Sequence, residues 1–448
     1  MIMRKTFMIA LIIFSFLAAF LNFLPHLNYQ YPIHVDEYVH YQYASHLSLN
    51  SPQYFGETNL SLEHGFHIIL AILNSLGIPY LSIFNILPFI LTIFISLSLF
   101  IITRRIFNTE SALFSVLFFV LLRSTASILG PMFLVPMSIG LLLILTGLYL
   151  LEINSNLFFL PLASLLIIHP PSALAYFIII NINLILKRKN ILKNISLQAL
   201  AFLIALPLYI PTFMQKGLNT VNNLSFTSII SPLFIPRFIG YFIIIIFTIG
   251  LYFTSLKKRY DLISYIFAFL LIILLFYKFN IEFFVPYART LFYLFIIIAI
   301  IFGYGCYNLT NTKNKKLKPF LMILLILVIL SLSLLIKLNS TGLVYHIITE
   351  KDYQAFQFIK ENTPTDSIVL ADPWISNALT PIAERQVFSR ITQGPNAFYE
   401  QRNKEITTFF QGNCTNLSFL KANNISVIYG NCNNSDLKEI YPKVFSLS

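Results

Sequence analysis

Apolar residues in this chain come in long unbroken runs rather than in the short alternations of a soluble core. Eleven runs stand out, at 6–24, 80–103, 110–130, 132–151, 157–169, 170–186, 197–213, 237–255, 260–277, 290–307 and 319–338. A helix crossing a bilayer core needs about 20 apolar residues, so the pattern predicts about eleven spans. Two of them, 157–169 and 170–186, are a short pair meeting at His169-Pro170-Pro171 and are expected to reach only partway across. The stretch from Leu62 to Leu76 is too short to span and predicts a helix on the membrane surface or a re-entrant segment. After residue 340 the pattern changes. Tyr353, Phe356, Ile359 and Lys360 follow a helical spacing that ends at Asn362-Thr363-Pro364. Residues 367–371, 386–388 and 425–429 read as short strands with helices between them. The prediction is a polytopic α-helical membrane protein over residues 1–338, with a long loop at 25–65 after the first span. A compact α/β domain follows at 339–448.

Composition agrees with this and adds an orientation. Of all residues 57% are hydrophobic and 11% charged, with mean hydropathy +0.76, where a soluble domain carries about 25% charged residues. Fifteen of the 21 Lys and Arg residues before position 339 fall in alternate loops, at Arg4-Lys5, Arg104-Arg105, 187–193, 257–259 and 313–318. The positive-inside rule makes that side cytoplasmic. The N-terminus then lies in the cytoplasm of a plasma-membrane protein, and both the 25–65 loop and the 339–448 domain face outward. The net charge of +12 comes from these short, separate loops, so a nucleic-acid partner is not indicated. The first span reads as a retained anchor, because its apolar run is longer than that of a cleaved signal.

Cys306 lies within a span, whereas Cys414 and Cys432 lie in the outward domain, where an oxidising compartment permits a disulfide between them. Sequons at Asn413, Asn416, Asn424 and Asn433 suit external exposure.

Candidate chemistry centres on Asp36 and Glu37. Residues 1–338 hold only eight acidic side chains, and these two are adjacent at the edge of the first span. A carboxylate there suits a general base taking the proton of an acceptor hydroxyl, or a ligand to a divalent metal such as Mg or Mn. Asp36 with His40 one helical turn on is the metal pair to consider. Glu37-Tyr38-Val39-His40 resembles half of the zinc-protease HExxH pattern, but Asp36 stands where its first His belongs. An outward site lacks nucleotide sugars, so its donor would be borne on a lipid. The phosphate of such a donor calls for cations. Arg289 is the best placed, with Arg123, Arg237 and Lys278 also near the outer ends of spans. Basic residues at span ends also snorkel to headgroups without any further role.

A first span, an outward loop with an acidic pair, about ten further spans and an outward α/β domain together resemble the GT-C superfamily of membrane glycosyltransferases. Protein mannosyltransferase-like, aminoarabinose transferase-like and oligosaccharyltransferase enzymes are the nearest in layout. The resemblance implies that Asp36, with Glu37 beside it, supplies the catalytic carboxylate. It also implies that His67, in Gly65-Phe66-His67-Ile68-Ile69-Leu70, lines the site, with His40 nearby. Residues 358–374 resemble the region around the oligosaccharyltransferase WWDYG motif, but Asp372-Pro373-Trp374 stands in its place, so peptide-sequon reading is not implied. Trp374, the only tryptophan, is an acceptor-contact candidate for which packing in the domain core is the plainer expectation. A second acidic motif is absent from 123–136, which favours Asp36 as a base over a metal-dependent route.

The function implied is inverting transfer of a sugar from a polyprenyl-phosphate-linked donor to an acceptor glycan, lipid or protein. The competing readings are a lipid or solute transporter or flippase and a non-catalytic scaffold. Transporters usually place ionisable groups inside their spans, and a scaffold would tolerate loss of Asp36.

Overall fold

The computed structural model describes residues 2–47, 62–122, 130–188, 190–216, 241–279, 285, 287–314, 316–338, 346–391 and 397–447. Each of the eleven apolar runs contains a helix: α1 (Ile2–Phe23), α4 (Tyr80–Ile106), α5 (Thr109–Leu121), α6 (Pro136–Glu152), α7 (Phe159–Ile168), α8 (Pro170–Lys187), α9 (Ile191–Lys216), α10 (Tyr241–Leu256), α11 (Tyr260–Phe279), α12 (Tyr287–Thr310) and α13 (Leu317–Leu338). Two further helices, α2 (Val35–His46) and the short apolar α3 (His64–Ser75) expected from Leu62 to Leu76, lie between α1 and α4. Among the described residues six helices are long and apolar enough to cross a membrane, and α8, expected to reach only partway, is one of them, whereas α7 is shorter. The expected pair meets at His169, where Pro170 and Pro171 open α8 and the backbone leaves the helical region.

The outer helices are apolar on both faces. Along α1, Leu11, Phe14, Ala18 and Leu21 are buried, while Met8, Ile9, Ile12, Ile13 and Phe16 are exposed. Each exposed Ile or Phe costs about 1.5–3 kcal/mol in water relative to apolar surroundings, so helix after helix of this kind calls for lipid as solvent. The axis of the bundle is α12, buried along nearly all of its length from Thr290 to Cys306. It packs against α5 and α10 at backbone contact. A Cβ on Gly303 would sit 2.2 Å from the Ser111 carbonyl, and one on Gly305 would sit 2.3 Å from that of Ile246. Small residues of this kind let membrane helices approach closely enough for dispersion to hold them.

In the C-terminal region, α14 (Glu350–Asn362) carries a Thr349 capping box. It leads into β1 (Ile368–Ala371), α15 (Pro373–Ala383), β2 (Gln386–Val387), α16 (Ala397–Gln411), α17 (Leu417–Ala422) and β3 (Ile425–Tyr429), then β4 (Leu437–Tyr441) and β5 (Val444–Leu447). The sheet order is β2-β1-β3-β5-β4, with β1 parallel to β2 and β3, and β5 antiparallel to β3 and β4. The three expected strands are present. The β4–β5 hairpin is additional; its two-residue turn places Lys443 at φ +64° after Pro442, a type II turn without the glycine that usually announces one. Cys414 and Cys432 are joined by a disulfide beside this hairpin.

The tail packs on the loop after α1. Tyr31 and Tyr38 belong to the same apolar cluster as Ile348, Phe356, Val369 and Leu379. Tyr31 and Gln30 donate to Glu350, and the Ile348 N–H donates to Tyr29. Arg390 donates to Gln42 of α2 at 3.0 Å. The tail thus braces the helix that begins with the acidic pair.

Candidate active site

His34, in extended conformation, caps α2: its Nδ1 accepts the Asp36 N–H at 3.1 Å. Glu37 closes the box and goes further. Its Oε2 accepts from Ile33 N (2.8 Å) and His34 N (3.1 Å), and its Oε1 from Leu134 N (2.7 Å) in the segment before α6. Burial outweighs the opposing pull of the three N–H groups and leaves this carboxyl raised to about 8. Glu37 is therefore an anchor that fixes the start of α2 against the bundle.

Asp36 is held differently. It is 8% exposed, and no described residue donates a hydrogen bond to its carboxylate. His34 Nδ1 lies 3.9 Å from it. That nitrogen is already accepting the Asp36 N–H, so it carries no proton and the contact is not an ion pair.

Further along α2, His40 Nδ1 lies 3.0 Å from His67 Nε2 on α3. Burial depresses both imidazoles, His67 to about 3 and His40 well below its ordinary value, so both rings are neutral. Just before α3 stands Glu63. Its Oε2 is 4.0 Å from His40, and its Oε1 is 3.6 Å from both His169 Nε2 and Arg289 Nη1. Burial raises the Glu63 carboxyl to about 7; Arg289 pulls it down, and the neighbouring Asp36 pushes it up. Arg289, in the first turn of α12, also donates Nη1–H to His169 Nε2 at 2.6 Å. On the other side of the ring, His169 Nδ1 lies 3.3 Å from the Ser172 backbone N and 2.6 Å from Ser172 Oγ. That hydroxyl in turn meets the Tyr293 OH at 2.7 Å.

Four separate segments thus converge: the start of α2, the start of α3, the α7–α8 break and the start of α12. Of the residues expected from sequence, Asp36, His40, His67 and Arg289 come together. Arg123 and Arg237 lie outside the described residues. Lys278 is exposed at the end of α11 with its ammonium over the Phe279 ring. Trp374 is 52% exposed at the first turn of α15 rather than packed in the core, because Asp372 caps that turn and holds it at the domain surface. Sequence reasoning passed over Glu63 and gave His169 no role. Their signal was scarcity: Glu63 is one of eight acids in 338 residues, and His169 sits at a proline-marked helix break.

The described residues hold no group of three His, Cys, Asp or Glu side chains arranged to ligate a metal. His40 is engaged with His67 rather than Asp36, and His169 Nε2 is taken by Arg289. The described residues do not fit a divalent cation.

No protein-family model matches the chain, and no curated protein matches it in sequence. Solved structures do. The oligosaccharyltransferase of Archaeoglobus fulgidus, tethered to an acceptor peptide containing the NVT sequon, matches with TM-score 0.63 at 10% identity. That match covers 95% of this chain and 69% of the other. The A. fulgidus oligosaccharyltransferase AglB with an inhibitory peptide and a dolichol-phosphate gives 0.59 at 10% identity over 95% and 69%. ArnT from Cupriavidus metallidurans in the apo state gives 0.55 at 11% identity over 94% and 96%. The chain shares its fold with these oligosaccharyltransferases and with ArnT.

Proposed function

We propose that this protein is an inverting glycosyltransferase that takes a sugar from a polyprenyl-phosphate-linked donor on the outer face of the plasma membrane. The observation that carries the reading is that one buried carboxyl, Glu63, feels both a carboxylate with no described hydrogen-bond donor, Asp36, and a guanidinium, Arg289, so that the two face one cluster. Asp36 removes the proton of an acceptor hydroxyl as that oxygen attacks the anomeric carbon. The bond from that carbon to the phosphate oxygen breaks, and the phosphate leaves with the electron pair. A phosphate leaves without being protonated, so a single base suffices, whereas an inverting glycosidase needs an acid as well. Arg289, aimed by His169, meets the charge that develops on the leaving phosphate. The bound dolichol-phosphate and acceptor peptide of the structural relatives support a lipid-phosphate donor and a separate acceptor. The outward orientation rests on the distribution of Lys and Arg among the loops.

The test is genetic and needs no assumption about the donor. The gene is deleted and complemented with wild type or Asp36→Asn at equal membrane abundance, and surface glycans and lipid-linked sugars are profiled by mass spectrometry. A glycan lost on deletion and restored only by wild type is the expected result. Full rescue by Asp36→Asn would favour a transporter or scaffold.

A further inference from the structure

A cavity of about 650 Å³, lined by none of the residues of the Asp36 cluster, opens between the end of α1, the start of α4 and the first described residues of the tail. Its size falls within the roughly 300–1,000 Å³ of small-molecule sites. His26, Asn28, Gln30, Asn85 and Glu350 converge on it, and Tyr29, stacked on His346 at 4.1 Å between ring centroids, forms one wall. Two of these side chains lack partners where a folded protein should supply them. Both ring nitrogens of His26, a residue 3% exposed, and the Oδ1 of Asn85 are buried without a hydrogen bond among the described residues. The backbone of Met132 approaches the His26 ring without completing one. Buried polar atoms are costly unless something bonds them.

The lining also narrows the ligand. No Lys or Arg is among the described lining residues, so none of these neutralises a phosphate, and Ile348 is the only aliphatic side chain among them, which leaves little for an acyl chain. Amides, imidazoles and a carboxylate beside tyrosine rings suit a molecule that carries several hydroxyls, each both donor and acceptor, on an apolar ring face. We propose that this cleft binds a neutral sugar residue. If the catalytic reading above holds, that residue belongs to the acceptor glycan, held while its free hydroxyl is offered to Asp36.

The test is saturation-transfer NMR on the purified full chain in an amine-oxide detergent, since maltoside detergents would compete. The probes are the methyl glycosides of glucose, mannose, galactose, N-acetylglucosamine and xylose. Wild type should transfer saturation to at least one, and Asn85→Leu and Glu350→Gln should each weaken that binding about five-fold, as expected for one lost hydrogen bond. Glu350→Gln, on an exposed side chain, decides the matter if gel filtration shows Asn85→Leu misfolded. Asp36→Asn should bind as wild type does, which separates this cleft from the catalytic assignment. Absence of transfer from wild type to every glycoside overturns the proposal, as does equal binding by wild type and Glu350→Gln. Competition by phosphocholine alone would show a lipid headgroup there instead. Addition of a diacylglycerol-linked form of the bound sugar in nanodiscs tells a glycolipid source from a soluble glycan.

Discussion

Asp36 and Glu37 are adjacent in the chain, yet α2 turns them about 100° apart. Glu37 accepts three backbone N–H groups, from Ile33, His34 and Leu134, while Asp36 accepts none from any described residue. The second residue holds the helix in place, and the first is left available for chemistry.

Substitution should separate these two roles. Asp36→Asn should lower kcat by about 100- to 10,000-fold, the usual worth of a general base, with little change in thermal midpoint. Glu37→Gln sets an amide NH2 against backbone donors and should cost about 1–3 kcal/mol of stability. Thermal unfolding in detergent together with a transfer assay reads both. A stable Glu37→Gln or an active Asp36→Asn would exchange or dissolve the assignment.

Glu63, raised to about 7 by its burial, sets a pH dependence for donor binding. Below that value it is neutral and Arg289 is available to a phosphate. Above it the carboxylate competes for the same guanidinium. KM for the donor should therefore rise about ten-fold between pH 6 and pH 8, as follows for a single ionisation near 7. Glu63→Gln should flatten the profile near its acid limit. A wild-type KM that stays level over this range discards the idea.

The bond from Arg289 to His169 predicts a graded series. Arg289→Lys loses the planar fork and should raise donor KM by about 10- to 100-fold. His169→Ala leaves the guanidinium present but no longer aimed, and should raise KM by less while sparing kcat. An effect of His169→Ala on kcat alone would instead place the imidazole at the reacting atoms.

The Cys414–Cys432 disulfide closes a loop over a separation of 18 residues. By chain-entropy arithmetic its loss should cost the tail about 3 kcal/mol. Trp374, the only tryptophan and part of the tail, gives a convenient signal. Its emission should shift at a lower denaturant concentration in Cys432→Ser, or after reduction, than in the oxidised wild type. Coincident transitions would mean that the bridge does not stabilise this part of the chain.

The sequence by itself determined what depends on local pattern. Every apolar run contains a helix, the short pair breaks at His169, and three tail strands appear where β-branched runs sit between turn residues. Hydrophobicity and proline act over a few residues, so one stretch of chain is enough to read them. Scarcity of charge in an apolar chain likewise marked Asp36, Glu37 and Arg289. What only the tertiary structure decided is which of these meet, and in what state. The roles of Asp36 and Glu37 diverge because Leu134, 97 positions away, donates to one and not the other. Glu63 joins Arg289, and Arg390 reaches Gln42 across 348 positions. The β4–β5 hairpin was hidden because Pro442-Lys443 makes its turn without glycine, and Leu437 and Val444 show their buried faces only once β4 pairs with β5 and β5 with β3. Burial and hydrogen-bond partnership come from contacts between distant segments, and those contacts exist only after the chain has folded.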